Sequence, residues 1–324
     1  MTSYRDAGVD LEAGDQHVAD IAAVVLASWN RDVVGGFGGF AAGVEIPSGY
    51  RRPVLMMSTD GVGTKLELAR RAGRWDGVGQ DLVAMCLDDL AALGARPLGM
   101  VDYLAVGSLQ PERDSAIVAS IAEACRLAGC PLLGGETAEH PGVMTPDAVD
   151  LAGAVAGVVE KGEELGPHRI EAGDVVVGLS SPNLRSNGFS LVRAVLEETM
   201  MEHAQDLLQP SVVYTPLVLA AVATGAVHAA AHVTGGGIVS NLGRALGAEW
   251  GVAIEKTSWE PPPIFELIAS AGVAEDEMYR VFNMGIGFCL VVDPRGLDEV
   301  LSIVGAHQPM TLGEIVIGKG VSLV

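Results

Sequence analysis

One segment, residues 160–174, most constrains how this 324-residue chain can fold. It reads EKGEELGPHRIEAGD, which is charged, contains glycine and proline, and has no apolar periodicity. On both sides of it, apolar runs typical of strands alternate with amphipathic runs typical of helices. The pattern predicts an α/β (α+β) protein with two mixed domains, residues 1–163 and 170–324, joined by a linker.

The same alternation predicts individual elements along the chain. The predicted helices cover residues 16–29, 81–93, 111–128, 190–201, 215–224 and 297–304. The predicted strands cover residues 53–60, 97–106, 149–159, 175–179, 252–254, 285–292 and 311–317, with a short strand ending at about residue 233. The GGFGGF run at residues 35–40 is too flexible for either element and predicts a loop. The order of elements does not form one continuous Rossmann series.

The charge balance narrows the range of partners. With 41 acidic and 20 basic residues, the chain carries a formal net charge of −21. Such an excess argues against nucleic acid or an anionic membrane surface as a partner, although a local site could still bind an anion or recruit Mg²⁺. Residues 207–243 contain no Asp, Glu, Lys or Arg, but proline, glycine and histidine interrupt them, which predicts buried core rather than a membrane span.

Cysteine usage and the N-terminus indicate a compartment. The four cysteines form no CxxC pair, which predicts buried free thiols and is compatible with a reducing cytosol. The acidic and polar N-terminus does not resemble a signal peptide. A cytoplasmic location is therefore expected.

The most informative motif is STDGVGTKLEL, at residues 58–68. The chain has neither a GxxxxGK[ST] P-loop nor a GxGxxG turn after a strand, so a nucleotide would have to be bound by other means. Asp60 ends a predicted strand and could hold Mg²⁺, while Lys65, one of only four lysines, could meet a phosphate. Gly61 and Gly63, next to Thr64, would let the backbone approach an oxyanion. The alternative is a tight turn with a solvated lysine.

Acidic residues in apolar surroundings form a second candidate set. Asp88 and Asp89 are adjacent in the apolar helix of DDLAALGARP, and neighbours on a helix cannot both face solvent comfortably. They suit Mg²⁺, unless Arg96 or the helix dipole balances them. Asp102 lies within an apolar strand and could be functional or structurally hydrogen-bonded. Glu136, in the non-helical GGETAEHPG run, could be a metal ligand, a substrate acceptor or a solvated loop residue.

Two glycine-containing runs in the second half predict anion sites. LRSNGFSLVR lies just before a helix, where backbone N–H groups and an arginine can bind an anion, with a plain capping loop as the alternative. AHVTGGG follows a strand, with a flexible turn around a core histidine as the alternative. The candidates are Arg185, Ser186, Asn187, Gly188, His232, Thr234, Gly235, Gly236 and, from FNMGIGF, Asn283. Together the halves suit a magnesium nucleotide and a phosphorylated substrate.

These motifs occur in one order from residue 4 to about residue 318. They are YRDAGVDLEAGD, GGFGGF, TDGVGTKL, DLVAMCLDDL, GARPL, DYLAVG, GGETAE, HPG, SNGFSLVR, AHVTGGG and EMYRVFNMGIG. The set resembles the phosphoribosylformylglycinamidine cyclo-ligase (aminoimidazole ribonucleotide synthetase) family of purine biosynthesis. Its D-x4-G-A-x-P spacing, from Asp89 to Pro97, is also similar to a wider ATP-binding superfamily that includes thiamine-monophosphate kinase, selenophosphate synthetase and a hydrogenase maturation protein.

The resemblance implies an activity and an assembly. ATP would phosphorylate the formyl oxygen of formylglycinamidine ribonucleotide, the amidine nitrogen would attack the activated carbon, and phosphate would leave as the imidazole ring closes. The resemblance also implies a homodimer, in which the N-terminal sheets pair across the two-fold axis into a barrel. The N-terminal domain would bind ATP, and a sandwich-like C-terminal α/β domain, packed outside the barrel, would bind the substrate.

The resemblance further implies a role for each candidate residue. Metal binding, of Mg²⁺ and optionally a monovalent cation, would involve Asp60, Asp88 and Asp89. ATP would be bound by Gly36, Gly38, Gly39, Asp60, Gly61, Gly63, Thr64, Lys65 and Asp89, with the GGFGGF loop closing as a lid. Catalysis would involve Lys65, Asp102, Glu136 and His232. The ribonucleotide would contact Arg185, Ser186, Asn187, Gly188, Thr234, Gly235, Gly236 and Asn283.

Two departures and two alternatives accompany this resemblance. Family members often carry His where Arg185 stands, which favours an anion-clamping role over proton transfer at this position. The segment after Met201 is shorter than in many relatives. The alternatives are a small-molecule kinase of the same superfamily, acting for example on thiamine monophosphate, and a dimeric nucleotide-binding scaffold without turnover.

Overall fold

The computed structural model describes residues 8–318 and 320–324. Residues 4–7, which begin the YRDAGVD motif, and Lys319 lie outside this part of the chain. Within it, helices and strands alternate through both halves, which confirms the mixed α/β class expected from the sequence.

The first half forms a four-stranded sheet with helices against it and a separate two-stranded antiparallel sheet made of its first two strands. Its elements are α1 (Leu11–Ser28), β1 (Val33–Val34), β2 (Gly43–Val44), β3 (Pro53–Gly61), α2 (Lys65–Ala72), α3 (Val78–Ala92), β4 (Arg96–Val106), α4 (Pro111–Ala128), β5 (Leu132–Glu139) and β6 (Val149–Glu160). The strand order is β3-β6-β4-β5, with β5 parallel to β4 and the other pairs antiparallel. A parallel neighbour requires a crossover connection, and α4 provides it.

Local sequence signals explain several helix ends in this half. Asp10 caps α1, because its side chain accepts hydrogen bonds from the backbone N–H groups of Glu12 and Ala13. Pro111 begins α4, at a position where a helix has no use for the missing N–H group. Gly129 ends α4 in the left-handed conformation, with φ 69°.

The second half contains two further sheets. Its elements are β7 (Val175–Ser180), α5 (Phe189–Val195), α6 (Ala204–Leu207), α7 (Thr215–Val222), β8 (Val227–His232), α8 (Gly237–Leu246), β9 (Trp250–Ile254), α9 (Pro263–Ser270), α10 (Glu275–Val281), β10 (Ile286–Val292), α11 (Leu297–Ile303), β11 (Met310–Glu314), β12 (Val316–Ile317) and β13 (Gly320–Leu323). The sheet orders are β11-β7-β10-β8 and β12-β9-β13. Every residue of β10 is buried, as expected for a central strand covered on both faces.

Most predicted elements lie close to their expected positions, but several other elements were not predicted or differ in type or length. The helix predicted at 111–128 coincides with α4, and the strands predicted at 53–60 and 97–106 correspond to β3 and β4. The GGETAE run, predicted to be non-helical with a solvated loop as the alternative, belongs to β5, because β4 offers it a parallel partner. The elements that were not predicted are helices α2, α6, α8, α9 and α10 and strands β1, β2 and β13. The helix predicted at 190–201 is shorter, since α5 ends at Val195 and a 3-10 turn follows.

Helix α3 connects the two halves of the molecule. Nearly all of its residues are buried, so it is not a surface helix with a single apolar face. One hydrophobic cluster joins Leu82 and Leu87 of this helix to Phe189 and Phe282 of the second half. Polar groups on α3 are therefore enclosed by both halves, and each of them needs a partner.

Two expectations about burial and membranes can be compared with the fold. The uncharged stretch at residues 207–243 is divided mainly among α7, β8 and α8. Among the described residues, no helix combines the length and apolar character needed to cross a membrane. The four cysteines, Cys86, Cys125, Cys130 and Cys289, are buried and unpaired, as expected.

Candidate active site

A cavity of about 710 Å³ lies under the GGFGGF loop of the first half. Its walls come from α1, the loop between β1 and β2, part of β4 and the edge strand β5. The sequence candidates that line it are Gly36, Gly38, Gly39, Asp102 and Glu136. We call it the glycine-loop cavity. Its volume is in the range of pockets that bind small molecules and cofactors.

Asp102 is the buried acid of this cavity. It lies on β4 beside Gly135 of β5, and it is only 8% exposed. Burial raises the pKa of its carboxyl group to about 7. Gly135 is required at this place, because a Cβ there would lie 2.2 Å from Asp102 Oδ1. Asp102 can therefore change protonation near neutral pH. Glu136, on the neighbouring edge strand β5, is exposed.

His17 also lines the cavity, although the sequence analysis did not select it. The ring is buried, with Nε2 3.3 Å from Thr137 Oγ1 and Nδ1 3.3 Å from Ser115 Oγ. Burial lowers the pKa of His17, and the neighbouring acids only partly oppose this effect. Nothing in the pattern of α1 distinguishes this residue from an ordinary core histidine.

A second group of candidates lies where the two halves meet. Ser58 and Asp60 point to the same face of β3, because side chains alternate along a strand. The Ser58 hydroxyl donates to Asp89 Oδ2 at 2.8 Å, and Asp89 Oδ1 lies 2.9 Å from His232 Nδ1. We call Ser58, Asp60, Asp89 and His232 the junction cluster. Strand β3 and helix α3 of the first half and strand β8 of the second half supply its members.

The two carboxylates of the junction cluster differ in their ionisation. Burial raises the pKa of Asp60, and the nearby charge of Asp89 raises it further. Burial also acts on Asp89, but hydrogen bonds from His232 and Ser58 outweigh it, so the pKa of Asp89 is lowered. The Asp89 side chain keeps 41% of its surface exposed. Two acids that repel each other beside an exposed edge are a setting that a divalent cation stabilises.

His232 is held in one orientation by its neighbours. Its side chain is 3% exposed, and its ring stacks against Phe288 with centroids 6.1 Å apart. Because Nδ1 is paired with Asp89, Nε2 is the remaining polar atom, and it is buried without a hydrogen-bond partner within residues 8–318 and 320–324. A carboxylate that orients an imidazole in this way supports proton transfer at the opposite nitrogen.

The junction cluster fits part of a Mg²⁺ site. Asp60 and Asp89 offer the hard oxygen ligands that Mg²⁺ prefers, and phosphate oxygens and water commonly complete its octahedral shell. In the part of the chain that the structure describes, no group of three or more His, Cys, Asp or Glu side chains could hold a metal ion alone. The protein would therefore bind Mg²⁺ together with a phosphate-bearing ligand.

The two sites lie along one transverse row of the first sheet. Asp60 on β3 pairs with Gly153 on β6, and Gly153 pairs in turn with Asp102 on β4. Two strand spacings separate the two acids, which is about 10 Å. A Cβ at Gly153 would lie 2.6 Å from the Met100 methyl carbon, so core side chains cover the middle of the row.

Asp88, expected as a third metal ligand, is instead bound by the protein. It is fully buried, and its Oδ1 accepts hydrogen bonds from the backbone N–H groups of Tyr214 and Thr215 and from the Thr215 hydroxyl. Its Oδ2 lies 2.7 Å from the Arg185 guanidinium group. The helix is the reason, since neighbouring residues point about 100° apart and only Asp89 faces the junction cluster. This corrects the sequence prediction, and Arg185 rather than Arg96 balances the charge.

Arg185 is likewise unavailable for the anion-clamping role expected from the sequence. It has no exposed surface, and besides Asp88 it donates to the Gly287 carbonyl oxygen at 3.3 Å. Its guanidinium carbon lies 4.9 Å from the centroid of the Tyr214 ring. An enclosed guanidinium group with these partners cannot reach a phosphate in this arrangement.

Lys65 is enclosed in a similar way. Its Nζ lies 2.7 Å from Asp81 Oδ2 and donates to the backbone carbonyl oxygens of Gln209 at 2.8 Å and Arg185 at 3.2 Å. Three acceptors match the three protons of an ammonium group. Burial lowers the pKa of Lys65, and Asp81 opposes that effect. Neither the expected phosphate contact nor the alternative of a solvated lysine agrees with this environment.

The AHVTGGG turn of the second half stays open to a ligand. Gly235 is exposed, and α8 begins two residues later at Gly237, so backbone N–H groups of a helix start lie beside the turn. The Asn241 side chain holds the turn by donating to the carbonyl oxygens of Thr234, Gly235 and Gly237. A Cβ at Gly235 would lie 3.5 Å from the Asn187 side-chain oxygen, so the Arg185–Gly188 loop is its neighbour.

The remaining candidates near the junction differ in whether their polar groups are already hydrogen-bonded within the protein. The buried Ser186 hydroxyl has no hydrogen-bond partner in the described ranges, 8–318 and 320–324. The Asn283 side chain donates to the Asn183 carbonyl oxygen and accepts from the Gly285 N–H group, so both its groups are used within the protein. Gly61 ends β3, Gly63 and Thr64 lie in the turn between β3 and α2, and Gly188 precedes α5.

The structure thus separates the four residues expected to act in catalysis. Asp102 and Glu136 line the glycine-loop cavity, His232 belongs to the junction cluster, and Lys65 belongs to a buried ion pair. Ser58 was missed, although its position two residues before Asp60 on a strand places both on one face.

Comparison with known proteins defines the class and then the family. The N-terminal domain model of AIR synthase related proteins matches residues 41–159, and the C-terminal domain model matches residues 171–324. Phosphoribosylformylglycinamidine cyclo-ligases of Synechococcus elongatus and Cyanothece sp. are 44% and 41% identical to the chain, each over 98% of both sequences. The chain therefore belongs to the phosphoribosylformylglycinamidine cyclo-ligase family.

Solved structures share the fold at much lower identity. Thiamine-monophosphate kinase from Stenotrophomonas maltophilia is 21% identical, covers 94% of both chains and has a TM-score of 0.68. The hydrogenase maturation protein HypE in complex with ATP is 17% identical, covers 96% of this chain and 88% of its own, and has a TM-score of 0.70. These are proteins of the wider superfamily that the sequence analysis named, and at such identities they establish the fold alone.

Proposed function

We infer that this chain is an ATP-dependent cyclo-ligase of purine biosynthesis. It converts formylglycinamidine ribonucleotide and ATP into 5-aminoimidazole ribonucleotide, ADP and phosphate. The observation that carries this function is the likeness to cyclo-ligases over 98% of both sequences. The alternative, a small-molecule kinase, draws on neighbours such as the one at 21% identity, which share the fold and not a substrate.

The junction cluster is proposed to carry the chemistry. Transfer of the γ-phosphoryl group to the formyl oxygen requires positioning and neutralisation of charge more than covalent help, and Mg²⁺ supplies that neutralisation when bound. Asp60 and Asp89 are the residues that would hold the metal ion. His232 Nε2 would then take the proton from the amidine nitrogen as this attacks the activated carbon, while Asp89 stabilises the charged ring.

ATP is proposed to bind with its nucleoside in the glycine-loop cavity. Phe40 supports a closing lid, because this aromatic residue of the loop is fully exposed and would be covered when the loop closes. The ribonucleotide would lie at the second-half turns, beside Ser186, Asn187 and Gly235. Residues 1–163 would thus serve ATP, and residues 170–324 the second substrate.

A homodimer is proposed from the outer face of the first sheet. Leu55 and Met57 of β3 and Val101 and Tyr103 of β4 are 58%, 72%, 43% and 44% exposed. They occupy the strand positions that alternate with inward-facing residues, so they share one face. A second copy of the chain is the expected occupant, because matching apolar sheet faces can pack around a two-fold axis.

Two further proposals concern the cellular location of the protein and the kinds of partner that it binds. A cytoplasmic location is supported by four unpaired buried cysteines, which suit a reducing compartment. The net charge of −21 supports small anionic ligands bound with Mg²⁺ and disfavours nucleic acid and anionic membranes as partners.

The decisive experiment offers the purified chain two substrates in parallel. With formylglycinamidine ribonucleotide, ATP and Mg²⁺, the aminoimidazole product and one phosphate per product should accumulate, as followed by mass spectrometry and phosphate release. With thiamine monophosphate, no phosphorylated product should form. Phosphorylation of thiamine monophosphate without ring closure would favour the kinase, and bound but intact ATP with both would favour a scaffold.

The dimer can be tested separately. Leu55→Glu with Met57→Glu places charges on the exposed face and should convert a dimer into monomers in sedimentation experiments. Leu127→Glu, at an exposed apolar position near the end of α4 and away from this face, serves as the control. A wild-type chain that sediments as a monomer would rule the dimer out.

A further inference from the structure

Two buried ion pairs lie between helix α3 and the second half. Asp81 and Asp88 are seven residues apart, which is two turns, so they project from the same side of the helix. Asp81 pairs with Lys65 and Asp88 with Arg185, each at 2.7 Å, and all four side chains have no exposed surface. Removing either member of such a pair would leave an uncompensated charge in the protein interior, which is strongly destabilising.

Both ion pairs form hydrogen bonds with backbone groups of the second half. The Lys65 ammonium donates to the carbonyl oxygens of Arg185 and Gln209. Asp81 Oδ1 accepts from the N–H group and the hydroxyl of Ser211, at 2.9 Å and 2.6 Å. The first pair therefore joins the STDGVGTK motif to two separate segments, the loop at Arg185 and the segment at residues 209–211.

The loop that receives these contacts has a conformation that needs support. Arg185 has φ 60°, in the left-handed region that residues other than glycine seldom adopt, because the Cβ atom there lies close to the following carbonyl oxygen. Its N–H group donates to Asn183 Oδ1, its carbonyl oxygen accepts from Lys65, and its side chain pairs with Asp88. The Asn183 amide also donates to the Pro210 carbonyl oxygen at 2.9 Å. The residue is held by its N–H, its carbonyl and its side chain.

We propose that Lys65 and Arg185 are positioning residues, which fix the loop at residues 183–188 against helix α3 so that Ser186 and Asn187 meet the ribonucleotide. The identity of that ligand rests on the proposed function. Neither residue touches a substrate itself. Replacing a buried ion pair by apolar residues commonly leaves a protein equally stable or more stable, so geometry rather than stability is what these pairs supply here.

The test uses the full chain with Lys65→Met and Asp81→Asn combined. The double variant removes both charges together, so no unpaired charge stays buried, and the asparagine side chain keeps an oxygen that can accept from Ser211. Hydrogen–deuterium exchange of the ligand-free protein should become faster by about tenfold or more at residues 183–188. The KM for the ribonucleotide should rise about tenfold, while the KM for ATP stays within about twofold of wild type.

A matched control and a milder variant sharpen the result. Lys256→Met with Glu275→Gln removes another lysine–acid pair, which is partly exposed and lies elsewhere on the surface, and should change neither exchange at 183–188 nor either KM. Asn183→Ala leaves both ion pairs intact and should give the same pattern as the double variant with a smaller rise in ribonucleotide KM. It decides the question if the double variant does not fold.

Two outcomes would overturn the proposal. Unchanged exchange at residues 183–188 in a folded variant would show that the pair does not hold the loop. A rise in the KM for ATP, with the ribonucleotide KM unchanged, would make Lys65 a nucleotide ligand. The exchange measurement needs no substrate. A chain that fails to close the imidazole ring would therefore refute the proposed function, and the role of Lys65 and Arg185 in holding residues 183–188 could still be tested.

Discussion

The glycine-loop cavity and the junction between the halves use charge in opposite ways. The cavity is lined mainly by glycine and apolar residues, with Asp102 as its buried acid and with His17, Glu136 and Glu139 also in its walls. The junction is rich in charged side chains, yet Lys65, Asp88 and Arg185 have no exposed surface and are paired with charged groups of the protein. In this chain, a charged residue within a motif indicates a connection between the halves as readily as a ligand contact.

Solvent exposure distinguishes the charged junction residues that can bind a ligand from those that are paired within the protein. Transfer of a charge from water is so unfavourable that a fully buried charge must be paired within the protein. Asp89 keeps 41% of its side chain exposed, and His232 keeps one ring nitrogen without a protein partner in the described ranges. These groups, together with Asp60, can still bind a ligand, and their enclosed neighbours position them.

The largest effect is expected at the junction cluster, from Asp60→Asn. Loss of a metal-binding carboxylate should lower kcat by about 10³. The melting temperature should stay the same or rise, because burial already disfavours the charged form of Asp60. Steady-state turnover and thermal unfolding measure the two quantities. The exposed acid Glu202, changed to Gln, is the control, and near-normal turnover of the Asp60 variant would remove that residue from the mechanism.

A smaller loss is expected when the imidazole or its support is changed. His232→Gln should lower kcat by about 10², because the variant has no imidazole to take the proton. Ser58→Ala removes one hydrogen bond from Asp89 and should lower kcat by about tenfold. Steady-state turnover measures both effects, and wild-type turnover in both variants would show that the Asp89–His232 pair only holds the two halves together.

Some helices and strands can be predicted from their own residues, whereas others form only because of a partner that is distant in the sequence. Strands β3 and β4 and helix α4 carry their own apolar periodicity, so each could be predicted in isolation. Strand β5 carries almost none, and it is a strand only because β4 lies beside it. Helix α8 does show apolar residues at helical spacing, so that signal was present in the sequence and was overlooked.

For the site, the sequence indicates which residues matter but not what they face. Asp60, Asp89 and His232 were all candidates, and the structure brings them together. Arg185 and Lys65 were also candidates, but their acceptors lie far away in the sequence, and Asp88 and Arg185 are 97 positions apart. A motif cannot show whether such a residue contacts a ligand or another part of the chain, because tertiary packing decides it.

The buried acid of the cavity should affect stability in a pH-dependent way. The pKa of Asp102 is raised from 3.8 to about 7. Between those values the folded chain keeps a proton that the unfolded chain has lost, so stability falls as pH rises, by about 1.4 kcal/mol per pH unit. Asp102→Asn should remove this slope and be more stable than wild type above about pH 7. Urea unfolding from about pH 5 to about pH 8 measures it, and parallel curves would contradict the burial argument.

The smallest effect is expected from a substitution in the GGFGGF loop. This substitution should change the KM for ATP without changing the KM for the ribonucleotide, so it distinguishes the two sites. Gly38 has φ 79° and open space around it, so Gly38→Ala adds backbone strain of about 1 kcal/mol and no clash. The KM for ATP should rise about fivefold, with little change in melting temperature or in the KM for the ribonucleotide. Gly49→Ala, with φ 109° and equally open space but outside the cavity lining, should leave both KM values unchanged. If the Gly38 variant changes the ribonucleotide KM instead, the cavity does not bind the nucleotide, because strain in this loop would then be acting on the other substrate.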